Sequence, residues 1–433
     1  MYDTKDMRKL YAEKKTDVAG CLALIRSGDM IAAMADCHEP YDILSEMHTI
    51  APRVEDVLLV KGANNMYKFI TEPGMDGHIN STTYYYGPAH RIGDRLGNAE
   101  YTPCDIPDFE PFFGGAHPCT VFLASVPPMD AEGYFTAGLA NQWGEQFRRT
   151  ADRIILEVNP ALPVVGPGLR IHISEVAALY ETAHPLWDLP TIHSSEPERR
   201  VAANCRELLH DGDCIQLGIG GLPNAIAEAM YDLKDLGIHT EMMTATMGEM
   251  IRRGIVTGER KNFHPREHIA CFAGGDAALY ETIAADPRCR MLPGTWVVDP
   301  FVIRQNDNMV SINTAIEVDL TGQITAESVG ARQFSGSGGA FDFAYGALHS
   351  KGGRGIYAFT STSRKGLSKI KATLSPGAQV TIPRNYADYI VTEYGIAALR
   401  GRTVRERARA LIAVAHPDMR EELTRQAKEL CYL

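Results

Sequence analysis

Residues 21–47, "CLALIRSGDMIAAMADCHEPYDILSEM", are echoed at 205–230 by "CRELLHDGDCIQLGIGGLPNAIAEAM". Cys21 falls on Cys205, Gly28 and Asp29 on Gly212 and Asp213, and Ile31 on Ile215. After a one-residue gap Pro40 falls on Pro223 and Met47 on Met230. Each copy reads as a helix, a Gly-Asp turn, a short apolar strand, a loop and a second helix. Two such copies so far apart point to two related α/β domains rather than one continuous core. The length of 433 residues agrees, being more than one ordinary core serves.

The stretch between the copies, "HPLWDLPTIHSSEPERR" (184–200), is rich in Pro and Ser and ends in charges, so it is expected to be the linker. The expected domains are 1–188 and 189–433. Apolar, β-branched runs read as strands at 152–159, 311–320, 355–360 and 378–383, and amphipathic patterns read as helices at 403–415 and 418–430. The fold expected is α/β: two open sheets, parallel or mixed, with helices on both faces, forming a pseudo-repeat.

A formal net charge of −11 argues against a general nucleic-acid binder, while leaving room for a local basic pocket. Nine scattered cysteines without a CxxC fit reduced thiols rather than a disulfide frame or a zinc cluster. The N-terminal "MYDTKDMRKLYAEKKTD" has no apolar core for a signal peptide, and no apolar run reaches the length of a membrane span. A cytoplasmic protein without a membrane or nucleic-acid partner is expected. His264 and His268 in "HPREH" have helical spacing, but a proline follows the first; a solvated turn is expected there, and no metal.

The segment "GIHTEMMTA" (237–245) reads as a buried strand with one fault, Glu241. A carboxylate among buried apolar neighbours costs several kcal/mol unless it is paired. Before it come a strand, "CIQLG" (214–218), a glycine loop, "GIGGLPN" (218–224), and a helix expected at 223–235 with Pro223 at its first position. That is a βαβ unit with parallel strands, so Glu241 and the loop share the sheet edge where open α/β sheets hold ligands. Gly218, Gly220 and Gly221 would let a ligand approach bare amides suited to a phosphate or an oxyanion. Taken alone, the loop reads better as a tight strand-to-helix turn. It matches neither a dinucleotide fingerprint nor a phosphate loop ending in GK[ST], so no nicotinamide cofactor is expected.

A second glycine cluster, "SGSGGAFDFAYGALHSKGGRG" (335–355), is followed by "STSRKGLSKIK" (361–371), which carries Arg364, Lys365, Lys369 and Lys371. Such a basic run is either a solvated face or a cradle for the phosphates of a nucleotide-bearing cofactor. These stretches, with "NDNMVSINTAIEVDLTGQITAESVG" and "YIVTEYGIAALRGRTVRERARALIAVAHPDMREEL", resemble the family I CoA-transferases. The branch is the one that uses 4-hydroxybutyrate, butyrate or acetate and includes acetyl-CoA hydrolases. The likeness spans nearly all of the second half and is thinner in the first, where "MDAEGYFTAGLANQW" (129–143) and "EVNPALP" (157–163) carry it.

The resemblance implies that Glu241 is a nucleophile that comes to carry CoA as a glutamyl thioester. It implies that amides at Gly218, Gly220, Gly221, Gly338 and Gly339, with Asn313, line the oxyanion and thioester site. Arg364, Lys365, Lys369 and Glu393 would hold CoA, and Met242, Met243, Thr244 and Ala340 would wall the substrate pocket. Glu393 reads on its own as ending a strand and starting a helix, and Glu249 as a surface residue paired with Arg252 or Arg253. Coenzyme A enters as substrate, and a homodimer or homotetramer is expected. The acceptor expected is a butyrate- or acetate-like acid or a small dicarboxylate such as itaconate. The alternatives are a 4-hydroxybutyrate CoA-transferase, an acyl-CoA hydrolase using the same glutamate, and a non-catalytic acyl-CoA-binding protein.

Overall fold

The computed structural model describes residues 4–61, 65–166, 168–189 and 192–433. The chain divides into two compact units, Met1–Leu189 with Ala270–Trp296, and Pro190–Ile269 with Val297–Leu433. Residues 270–296 thus pack with the first unit, although a simple division at 188/189 would give them to the second. The reason is a set of local bonds. Ala273 N–H donates to Leu139 O at 2.8 Å, Asn141 N–H to Cys271 O at 2.8 Å, and the Tyr280 hydroxyl to Trp187 O at 2.6 Å. Residues 190 and 191 of the expected linker lie outside the described residues.

The first unit is built on β1 (Met30–Ala33), β2 (Val57–Val60), β3 (Ile79–Thr83), β4 (Ala99–Tyr101), β5 (Val121–Val126), β6 (Arg153–Val158) and β7 (Val176–Glu181). Their order is β4-β3-β2-β1-β5-β6-β7, with every neighbouring pair parallel. Alternate residues of β1 serve two cores. Met30 and Ala32 join Phe122 and Leu156, whereas Ile31 and Ala33 join Leu59 and Leu123. Both faces are covered, which is why these strands read as unbroken apolar runs. Each large side chain so buried contributes about 1.5–3 kcal/mol.

In the second unit β8 (Cys214–Leu217), β9 (Gly237–Thr244), β10 (Met309–Asn313), β11 (Arg354–Ala358), β12 (Tyr389–Thr392) and β13 (Gly395–Ala398) lie in the order β9-β8-β10-β11-β12-β13. The paired strands β9-β8-β10-β11-β12 run parallel, and β13 closes the edge antiparallel. The chain steps from β8 to β9 on one side, then returns and proceeds through β10 to β12 on the other. That reversal of order opens a crevice at the carboxyl ends of β8 and β10.

The repeat is visible as a shared brace. Gly28 and Gly212 occupy the same left-handed turn, with φ of +77° and +80°. Asp29 accepts from Arg26 N–H at 2.7 Å and pairs with Arg153 at 2.5 Å; Asp213 accepts from His210 N–H at 2.8 Å and pairs with Arg354. Arg153 lies opposite Val121 and Arg354 opposite Val310, so each arginine opens the strand two places from its aspartate's strand.

Some local expectations differ from what is found. The helix after the glycine loop runs Gly221–Ala229, ending before 235, and Pro223 is its third residue, still within the turn whose N–H groups lack partners. Residues 311–320 form two strands, Met309–Asn313 and Glu317–Asp319, and 378–383 form no strand but a single bridge from Ile382 to Ile324. His264 sits in a turn with Nδ1 2.6 Å from the Glu267 carboxylate. Among the described residues no helix is long and apolar enough to cross a membrane, and no cluster of His, Cys, Asp and Glu is arranged to hold a metal ion.

Candidate active site

Strand register builds the site. Cys214 and Ile215 pair with Gly237 and Ile238, and Leu217 pairs with Ile312. Carrying both registers to the end of β8 sets Gly218 level with Glu241 on one side and Asn313 on the other. Asn313 in turn pairs with Tyr357. The glycine loop, Glu241 and Asn313 therefore meet in one row at the carboxyl edge, on either side of the strand reversal.

Glu241 is partly buried, and its Oε2 accepts the N–H of Gly339 at 2.8 Å. Gly339 caps the helix Ala340–His349, so the carboxylate faces a helix N-terminus. Oε1 has no hydrogen-bond partner among the described residues. Burial pushes the Glu241 carboxyl above the usual range, and the Gly339 N–H pulls it back. His239, two residues earlier on the same face, meets the Phe343 ring of this helix at 6.3 Å. Burial, then the charge of Lys261, hold His239 down to about 3, so it is neutral and donates Nε2–H to Val297 O at 2.8 Å.

The glycines do different things. A Cβ added at Gly218 or Gly220 would meet nothing closer than Pro223 at 3.9 Å, so there is open space beside both residues. Gly220 also has φ of +118°, which side-chain-bearing residues rarely adopt. At Gly221 a Cβ would approach His193 O at 3.3 Å and the Glu198 carboxylate at 3.4 Å. At Gly339 it would stand 2.9 Å from Glu241 Oε2, 3.0 Å from Val298 and 3.1 Å from Phe343, while Gly338 is buried beside it. Gly339 is therefore the seat of the carboxylate.

Other expected residues are placed as follows. Met243 is fully enclosed and Met242 nearly so, which puts both in packing rather than on an open wall. The Thr244 hydroxyl caps the helix Ala245–Arg252 by accepting from Met247 N–H at 3.3 Å. Ala340, partly exposed, follows the carboxylate's seat. Glu249 pairs with Arg252 at 2.8 Å and Arg253 at 3.6 Å.

Residues 361–369 form a hairpin, closed by Lys369 N–H to Ser361 O at 2.9 Å and Ser363 N–H to Leu367 O at 2.8 Å. Arg364 and Lys365 are exposed at its tip. Lys371 lies outside it and pairs with Glu317 at 3.6 Å, so the basic run does not act as one patch. Glu393 starts no helix: it sits in the two-residue turn between β12 and β13. From there it pins the hairpin base, accepting Ser361 N–H and Oγ–H at 2.8 Å each. Burial lowers the Lys369 ammonium, and the carboxylates of Glu393 and Glu198 pull it back.

Two residues passed over in sequence also belong here. Gln216 and Ser311 lie in buried strands beside Asn313 and bond to it. Each is a polar residue inside an apolar run, the signal that singled out Glu241, but without a charge to draw attention.

Residues 275–427 match the family described as the acetyl-CoA hydrolase/transferase C-terminal domain. A 4-hydroxybutyrate coenzyme A transferase of Clostridium kluyveri is 35% identical over 98% of this chain and 99% of its own. A succinyl-CoA:cyclohexane-1-carboxylate CoA transferase of Geobacter metallireducens is 36% identical over 98% of each. The crystal structure of RipA from Yersinia pestis superposes with a TM-score of 0.93 at 34% identity, covering 99% of this chain and 100% of that one. With a carboxylate at a glycine-lined sheet edge and likeness over almost its whole length, this chain belongs to the CoA-transferases of the acetyl-CoA hydrolase/transferase family.

Proposed function

We propose that Glu241 carries CoA between carboxylic acids in a ping-pong cycle. Its Oε1 attacks the acyl carbon of an acyl-CoA, and the CoA thiolate leaves, giving a mixed anhydride. The thiolate then attacks the glutamyl carbon, and the donor acid departs with Oε1, leaving a glutamyl-CoA thioester. An acceptor carboxylate attacks that carbon, expelling the thiolate, which attacks the acceptor's acyl carbon and restores Glu241. The observation that supports this most is the asymmetry of the carboxylate, with Oε2 held by Gly339 and Oε1 without a hydrogen-bond partner among the described residues. Each tetrahedral intermediate needs donors aimed at its oxygen, worth about 3–4 kcal/mol apiece. The backbone amides of Gly218 and Gly220, which have open space beside them, and the Asn313 side-chain amide are the donors proposed for that role. Arg364 and Lys365 at the hairpin tip are the cations proposed for the CoA phosphates, with Lys369 and Glu393 setting the hairpin base.

Incubation with acyl-CoA and no acceptor should leave CoA on Glu241 as a thioester that hydroxylamine releases and borohydride reduces. Glu241→Ala should lose both adduct and turnover; an adduct mapped elsewhere, or normal transfer by this variant, refutes the mechanism. Rapid loss of the adduct to water would mark a hydrolase.

For the acceptor the reading is a short acid other than 4-hydroxybutyrate, butyrate- or acetate-like or a small dicarboxylate such as itaconate. Relatives that use 4-hydroxybutyrate or butyrate usually carry Ser-Asp-Gly after the glutamate and Gln after the paired glycines. Here "TATMG" and Ala340 leave fewer polar groups for a substrate hydroxyl. Comparing kcat/KM for acetate, butyrate, 4-hydroxybutyrate, succinate and itaconate tests this, and a clear preference for 4-hydroxybutyrate overturns it. A cytoplasmic homodimer or homotetramer completes the proposal, with sedimentation to decide the assembly.

A further inference from the structure

Gln216 and Ser311 are paired residues on β8 and β10, buried at 5% and 1% exposure. Ser311 Oγ donates to Gln216 Oε1 at 3.0 Å, so it must accept the 2.8 Å bond from Asn313 Nδ2. Gln216 Nε2 returns a bond to Asn313 Oδ1 at 3.4 Å, closing a ring of three side chains. Flipping Asn313 alone would set its oxygen against a hydroxyl whose hydrogen is already engaged, and flipping Asn313 and Gln216 together restores the ring in reverse, so in either sense the ring fixes the plane and position of the Asn313 amide. The second Nδ2 hydrogen has only a long contact, 3.4 Å to Gln216 Oε1, and is the donor a thioester or anhydride carbonyl can claim.

The fold does not require this network. The strand registers make Ala32, Phe122 and Ala124 of the first unit the counterparts of Gln216, Ser311 and Asn313, and all three are fully buried and apolar. Burying amides and a hydroxyl where an apolar core serves equally well is unfavourable for stability unless something else is gained. We infer that Gln216 and Ser311 are positioning residues, which hold the Asn313 amide in place so that its weakly held N–H can meet the reacting carbonyl. This rests on the role proposed above for Asn313.

The test compares Ser311→Ala, Ser311→Thr, Gln216→Leu and Asn313→Ala in the full chain. Ser311→Ala and Gln216→Leu should lower kcat about 10- to 100-fold, change KM for acyl-CoA less than about three-fold, and lower the melting temperature by only a few degrees, since each leaves buried ring partners unpaired. Ser311→Thr, which keeps the hydroxyl, should recover most of kcat. Adding Ser311→Ala to Asn313→Ala should produce no further loss, because the serine acts only through the asparagine. If Asn313→Ala alone leaves kcat unchanged, the proposed role of Asn313 fails. If Asn313→Ala lowers kcat while the Ser311 and Gln216 variants do not, or if Ser311→Ala lowers kcat further in the Asn313→Ala background, the positioning role is overturned and the mechanism stands.

Discussion

Each unit sets a glutamate against the N-terminus of the helix that precedes its arginine-bearing strand. In the first, Glu110 Oε1 accepts N–H groups of Gly144, Gln146 and Phe147 at 2.6, 3.1 and 3.4 Å, capping the helix Glu145–Thr150. In the second, Glu241 takes a single N–H, that of Gly339. Burial raises both carboxyls, and backbone N–H groups oppose it in both. The difference lies in burial and in the number of donors. Glu110 is nearly sealed and its Oε1 is engaged by three donors, a structural cap, whereas Glu241 is only partly buried and its Oε2 is held by one. A helix-capping carboxylate becomes a candidate nucleophile when its hydrogen bonding is left incomplete at a ligand-facing sheet edge.

The largest expected effect breaks the comparison outright. Glu241→Gln should reduce transfer to background while the protein stays folded, and Glu110→Gln should leave transfer near normal and lower the melting temperature, the lost cap costing about 1–2 kcal/mol. Steady-state rates and thermal unfolding of the pair decide it; equal loss of activity would mean that the two carboxylates are not separated as described. Next come the buried braces that the units share. Arg153→Met and Arg354→Met each strand a buried aspartate, Asp29 or Asp213, and should each destabilise by about 3–5 kcal/mol. Denaturant unfolding showing a large effect in one unit and none in the other would reject the equivalence.

The smallest effect concerns pH. A carboxyl raised on folding binds its proton more tightly in the native state, so stability is greatest below the unfolded value, near 4.3, and falls as pH rises through the folded one. Glu241→Ala should therefore melt higher than the parent at pH 8, with the gain shrinking toward pH 4. The acid limb of kcat/KM should likewise lie above the ordinary glutamate range. A limb at or below that range would contradict the burial argument.

Much of this was legible in the residues because the diagnostic features were local. The Gly-Asp turns announce the repeat, and a charge within an apolar strand marks Glu241 without any coordinates. What escaped depends on partners far along the chain. Gln216 and Ser311 look like minor blemishes in strands until the sheet brings them to Asn313. Lys371 belonged to a basic run until Glu317, 54 positions earlier in the sequence, was found beside it. Glu393 reads as the start of a helix from its neighbours alone, because a strand followed by "EYG" does not announce that the chain turns straight back into another strand. The segment 270–296 follows hydrogen bonds to 139–141 that no local pattern encodes.

Gly339 has a consequence for how this chain tolerates change. Gly218 leaves open space around an added Cβ and has an ordinary backbone, so a saturation library should recover alanine there as a folded protein, with any penalty confined to ligand binding. At 339 even one methyl group stands 2.9 Å from the Glu241 oxygen, close enough to push it aside, although φ of −86° suits residues with side chains. Selection for folding alone would let that position drift, and selection for catalysis would freeze it. Two adjacent tolerance maps, one for abundance and one for turnover, should therefore part company most sharply at a residue with no side chain.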